Sequence, residues 1–93
     1  MSDGIAVSQR LDRWLWHARI VKTRALAAGL VTSGYVRVNG RRAEQPSRAI
    51  KPGDVLTIAL PSRVRVLKVA GILPRRADAT AARRLYEALM PPA

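Results

Sequence analysis

Cysteine is absent from the 93 residues and histidine occurs once, so a disulfide framework is excluded and a thiolate or imidazole metal cage lacks ligands. Acids are scarce: there are six, and they fall singly. None of Asp12, Glu44 or Asp54 shares a motif with a second carboxylate or with His17, so no acid–base pair or triad is suggested. The glycines form no phosphate-loop pattern ahead of a Lys-Ser/Thr pair. The expectation is a protein that is not an enzyme, with no catalytic residue, no metal site and no cofactor. Apolar runs are short as well, none approaching the roughly 20 residues that span a bilayer. The N-terminus, MSDGIAVSQR, has neither a basic lead nor a long apolar stretch, so no membrane role is expected and the location is expected to be cytoplasmic.

What the chain has in excess is positive charge. Seventeen Lys and Arg give a net charge of +11, and fourteen of the seventeen are Arg, whose planar fork of donors suits phosphate. A polyanion is the default partner for such a chain, and the repulsion between copies favours a monomer. Between residues 13 and 43 there are seven bases and no acid, more than solubility requires. The stretch RLDRWLWHARIVKTR, residues 10–24, concentrates five of the cations with two tryptophans and one acid.

Length predicts one domain, and the hydrophobic periods predict its parts. Residues 1–8 read as a flexible lead-in, residues 9–70 as the folded unit, and residues 71–93 as an extension with a short helix. Leu11, Trp14, Leu15 and Ala18 form one helical stripe. Trp16 lies about 150° from it, on the side of Asp12, Arg13 and Arg19, and should face outward or into a second layer. Thr23 is the expected N-cap of a second helix whose buried side is Leu26, Ala27, Leu30 and Val31, with Gly34 as its left-handed stop. The short elbow at Ile20 to Lys22 packs the helices closely and brings Arg13, Arg19, Lys22 and Arg24 towards one outer surface.

After Gly34 the period becomes two. Tyr35 to Val38 reads as a strand, Asn39-Gly40 as a hairpin turn, and Arg41 and Arg42 follow it. Pro52-Gly53-Asp54 marks another turn; Val55 to Leu60 and Arg63 to Ala70 are β-rich, and the alternation Arg63, Val64, Arg65, Val66 predicts one wet face. Asp78 or Thr80 should cap a last helix with Ala82, Leu85, Tyr86 and Leu89 as its stripe. The fold class is α+β.

An ordered set of residues carries a family resemblance. Arg10-Leu11-Asp12, Ala18-Arg19, Lys22-Thr23-Arg24-Ala25, Gly34 to Gly40, Pro46-Ser47 and Gly53-Asp54 resemble the S4-type RNA-binding domain in order and spacing. RLDRWLWHARIVKTRALA, with Ala81 to Glu87 beyond, is similar to the ribosome-associated heat shock protein 15 family. The resemblance covers residues 10 to about 90. It implies an S4-like (αL motif) fold in which two short helices at a steep angle are backed by a small, mainly antiparallel sheet. It also implies docking to RNA, ribosomal RNA on a free large subunit above all, with tRNA there as a further partner, in ribosome rescue or the heat-shock response. By the same resemblance Arg10, Arg13, Arg19, Lys22, Thr23, Arg24 and the Asn39-Gly40-Arg41-Arg42 hairpin form the RNA-facing surface. Trp16 is a candidate for base stacking or for packing under the hairpin, and His17 a neutral surface or hinge residue. The chain departs from the family at Gly29, where relatives usually carry a longer polar side chain, and it does not include the longer basic tail common in the heat-shock branch. Charge alone also admits non-specific DNA binding, or docking on an acidic partner protein or anionic membrane surface.

Overall fold

The stripe Leu11, Trp14, Leu15 and Ala18 is buried and belongs to a short helix, α1 (Leu11–His17), which follows a two-residue strand, β1 (Gln9–Arg10). The computed structural model describes residues 8–89. The expected lead-in therefore lies, apart from Ser8, outside the described residues, as does the end of the expected extension. α1 stops where Arg19 turns left-handed, with φ +60°. The amides of Arg19 and Ile20 donate back to the carbonyls of Trp16 and Leu15, each at 3.0 Å, the bonding pattern that usually recruits glycine. A side chain at this φ costs about 1 kcal/mol, so the position is held by its surroundings.

α2 (Arg24–Thr32) begins as expected, with the Thr23 hydroxyl accepting from the Leu26 amide at 3.1 Å. It also ends as expected. Gly34 sits at φ +86°, and the amides of Gly34 and Tyr35 reach the carbonyls of Val31 and Leu30. Its buried side is narrower than predicted: Ala27 and Val31 are buried and Leu30 partly so, but Leu26 is 54% exposed because only the i,i+4 pair points at the sheet.

The chain then forms β2 (Val36–Val38), a turn with φ +52° at Asn39 and +84° at Gly40, and β3 (Arg41–Arg42). β4 (Ala49–Ile50) pairs with β1, and the same loop completes α1. The Leu11 amide donates to the Arg48 carbonyl at 2.8 Å and the Asp12 amide to that of Pro46 at 3.1 Å, satisfying helix donors that no side chain caps. β5 (Val55–Ala59), β6 (Val64–Val69), α3 (Ala79–Arg83) and β7 (Tyr86–Ala88) follow. The main sheet is antiparallel throughout, in the order β3-β2-β5-β6-β7. Its inner face, Val36, Val38, Leu56, Ile58, Leu67 and Val69, is buried with Leu11, Trp14, Leu15, Ala27 and Val31 in one core. This is the expected α+β class, with two helices on a mainly antiparallel sheet.

One local expectation fails. Tyr86 and Leu89 are not on a helix: Asp78 caps α3 through the Ala81 amide, but α3 ends at Arg83 and Tyr86 to Ala88 pair with β6. The alternation in β6 gives the expected wet face, which the valines Val64 and Val66 share with Lys68. Pairing of Leu56 with Leu67 and of Ile58 with Arg65 turns Leu67 and Arg65 to the inner face, leaving Val64 outside and 46% exposed. Arg65 meets the π face of Tyr86, 5.3 Å from its centroid.

Candidate nucleic-acid interface

The expected site is organised by a residue that the helical angle had placed outside. Asp12 is 3% exposed, and its carboxylate is covered by the cations around it. Oδ1 accepts from Arg10 Nε at 3.1 Å and from the Arg13 amide at 2.7 Å; Oδ2 accepts from Arg10 Nη2 at 3.1 Å and from Arg24 Nε at 3.4 Å. Burial pushes the carboxyl upward. The hydrogen bond from Arg10, the Arg13 amide, the Arg10 charge and the bond from Arg24 together outweigh it and hold Asp12 below its ordinary value. One buried anion thus ties the start of α1 to the start of α2 while both guanidiniums stay partly exposed, their side chains 47% and 38% open to solvent.

The remaining predicted residues divide by what they touch. Arg13 and Lys22 are exposed, and among the described residues neither side chain has a hydrogen-bonding or ionic partner; the same holds for Arg41. Arg19 is exposed, but unlike Arg13 and Lys22 its side chain has a partner: its Nε donates to the Ala77 carbonyl at 2.6 Å, fastening the C-terminal segment to the elbow. Thr23 is spent on the cap. Asn39 is also committed, with Oδ1 accepting from the Val55 amide at 2.9 Å and Nδ2 donating to Asp54 Oδ1 at 3.1 Å. Asp54 is raised by burial and lowered further by Asn39, the Lys51 amide and the Lys51 charge, for a net downward shift. Gly40 supplies the turn. Arg42 passes directly over Gly34, where an added Cβ would stand 2.8 Å from its Cζ. The cations therefore form two clusters, one at the elbow and one in the hairpin. α2, nine residues and so roughly 13 Å long, separates the Arg24 end from the Arg42 end.

Trp16 is half-buried and packs on His17, ring centroids 5.2 Å apart, rather than standing free. His17 is not at the surface: it is 2% exposed, and its Nδ1–H donates to the Leu73 carbonyl at 2.9 Å. Burial lowers its pKa, the bond to Leu73 raises it, and the charges of Arg13 and Arg24 lower it, so the ring is held neutral. Residues 71–77 are thereby fixed along α1, with Trp14 Nε1 donating to the Gly71 carbonyl at 2.9 Å and the Ala77 amide to that of His17. The Asp12 node and the 71–77 strap are the features around the site that reading the sequence missed. The RLDR spacing, an acid two residues after one base and beside another, was the only local signal for the first. Among the described residues no group of three His, Asp or Glu is placed to hold a metal ion, and no helix is long and apolar enough to cross a membrane.

Two packed helices backed by an antiparallel sheet, with cations gathered at the elbow and in the hairpin, have the parts of an S4 domain, and residues 9–56 match that family's model. Over 87 residues, 94% of this chain, the sequence is 40% identical to heat shock protein 15 of Escherichia coli (strain K12), of which it covers 65%. A solved structure described as trimeric heat shock protein 15 of Vibrio cholerae superposes with a TM-score of 0.82 at 37% identity, covering 87% of this chain and 81% of that one. The small ribosomal subunit protein uS4 of Staphylococcus haemolyticus is 41% identical over 54 residues, 58% of this chain and 27% of that protein. The chain belongs to the S4 domain family, in its heat shock protein 15 branch. It spans just under two thirds of the length of the Escherichia coli relative.

Proposed function

We propose that this protein binds RNA through the helix elbow and the β2–β3 hairpin, and that its physiological target is ribosomal RNA on the free large subunit during rescue of interrupted translation or the heat-shock response. The observation that carries the reading is the Asp12 node. A single buried carboxylate presents Arg10 and Arg24 side by side, beside exposed Arg13 and Lys22, in a span where residues 13–43 hold seven bases and no acid. Fixing two guanidiniums in the folded state lowers the entropy lost when phosphates meet them. Arg41 and Arg42 extend the cationic surface along α2, and sugar and shape contacts complete a mode that does not require base-edge readout. The heat-shock context is supported by the name of the heat shock protein 15 relatives, and a ribosomal one by uS4, whose name places that protein in the small subunit.

Residues 9–70 are the proposed RNA-binding unit and residues 71–93 an extension, strapped to α1 and added to the sheet edge through β7. One copy is the proposed binding unit, since a charge of +11 opposes self-association; sedimentation velocity tests that against the trimeric state described for the Vibrio cholerae protein. The test of the function is titration of ribosomal RNA fragments against duplex DNA over a range of salt. Neutralising about five phosphates gives a slope of log K on log salt of roughly −3.5 for a single strand. Preference for the RNA fragments with such a slope supports the proposal; a flat slope, or equal affinity for the duplex, contradicts it.

A further inference from the structure

We propose that the apolar groove between α2 and the β5–β6 turn receives an unpaired nucleobase of the bound RNA, with Tyr35 as its stacking surface; this rests on the RNA-binding reading above. The groove encloses about 390 Å³ and is lined by Val21, Leu26, Gly29, Leu30, Tyr35 and Leu60 among others. That volume falls within the roughly 300–1,000 Å³ of small-ligand pockets. Tyr35 also borders an adjoining cavity of about 340 Å³ that shares Leu30, Leu60 and Pro61 with the groove. Leu26 and Tyr35 are 54% and 53% exposed, the two most exposed large hydrophobics among the described residues, and both lie on this groove.

Gly29 leaves its part of the groove wall without a side chain. No positive φ requires a glycine there, and an added Cβ would meet nothing within 4 Å. A glycine in the middle of a helix, without a turn or a close neighbour to demand it, leaves open space that a side chain as large as leucine would enter. Cations stand at both ends. Val21 in the wall precedes exposed Lys22, and Arg42 lies over Gly34, between the lining residues Ser33 and Tyr35. A base in the groove would have its flanking phosphates near Lys22 and Arg42. This arrangement complements a polyanion rather than a second copy of a chain that itself carries +11. Base–aromatic stacking tolerates any base, which suits a binder without base-edge readout.

The test uses the full chain and a short mixed-sequence single-stranded RNA, compared with an oligomer of equal length whose central stretch is abasic. Tyr35→Ala and Gly29→Leu should each weaken binding of the intact RNA roughly tenfold. Tyr35→Phe, which keeps the ring, should bind like the parent. The parent should lose a similar factor on the abasic oligomer, where the two variants lose little more, and the salt slope should stay unchanged because no phosphate contact is removed. Circular dichroism melting confirms that each variant folds; both positions are open to solvent, so folding is expected. Parent-like affinity of both variants, with the salt slope intact, overturns the groove and leaves phosphate docking standing. A flat slope in the parent overturns the reading on which the groove rests. Self-association of the parent that Gly29→Leu abolishes, with RNA affinity unchanged, assigns the groove to a second copy and likewise overturns the proposal.

Discussion

Replacing Asp12 with Asn separates an organised docking surface from a diffuse polycation, because the two predict opposite signs. The substitution raises the net charge by one from +11. A diffuse polycation should then bind RNA more tightly. The structure predicts weaker binding: with the carboxylate gone, Arg10 and Arg24 are no longer held together, and each must be immobilised on binding at about 0.5–1.5 kcal/mol. Against a gain of a few tenths of a kcal/mol from the added charge, the net loss is about 1 kcal/mol, or roughly fivefold in affinity.

Stability should fall as well. Asn keeps an acceptor for the Arg13 amide at 2.7 Å but loses the charge that faces Arg10 and Arg24. Because both arginines are partly solvent-screened, each pair is worth only about 0.2–1 kcal/mol, and the total loss should be about 1–2 kcal/mol. The native pKa of Asp12 lies below its unfolded value, so this contribution is fully present above the unfolded carboxylate pKa of about 3.9 and is lost as pH falls through the lowered native value. Urea titration at neutral and acid pH, with anisotropy titration of RNA at fixed salt, reads both effects. Tighter binding by the variant, or a stability difference that does not shrink on acidification, would refute the account of the node.

Gly34→Ala should destabilise by about 1–2 kcal/mol, because it places a Cβ at φ +86°, while the Arg42 guanidinium 2.8 Å away swings aside at little cost; Gly40→Val, at the second positive-φ position of the turn, should also lower the melting temperature. An unchanged melt for either would show that the backbone conformation is misassigned. His17 is buried and neutral with a lowered native pKa, so the unfolded chain takes up its proton first and stability should fall as pH drops below about 6.5. Since it is the only histidine, its imidazole NMR signal reports the native pKa without ambiguity, and a native value above 6.5 would contradict the burial argument.

The features legible in the sequence were those set by local chemistry. Thr23 caps α2, Gly34 ends it and Asn39-Gly40 turns the hairpin because each is decided by a residue's own side chain or φ preference. Features decided by distant partners were not legible. Asp12 counts as an outward position on a bare helix; it is buried only because Arg10 and Arg24 close over it and the Pro46–Arg48 loop covers the helix start. Arg19 carries no local sign of a left-handed conformation, and its bond to Ala77 lies 58 residues away in sequence. Tyr86 and Leu89 fit a helical stripe equally well, and pairing with Leu67 to Val69 selects the strand. The phase of β6 was set by its register with Leu56 and Ile58, which four alternating residues cannot reveal. The expected docking residues consequently sort into exposed cations at Arg13, Lys22, Arg41 and Arg42, oriented ones at Arg10 and Arg24, and ones that also make bonds or turns within the fold at Arg19, Thr23, Asn39 and Gly40.

The central claim, that the elbow and hairpin cations rather than the whole basic surface meet RNA, is tested most directly by two triple substitutions of equal charge. Arg13, Lys22 and Arg41 become Gln in one variant and Arg75, Arg83 and Arg84 in the other; Arg76 is spared because its Nε is buried. All six are exposed, so both variants should fold by circular dichroism. At about 1 kcal/mol or slightly more per charge-assisted contact, the first triple should weaken ribosomal RNA binding by about 2–4 kcal/mol at fixed salt and the second by much less. Equal losses from the two triples would contradict the site.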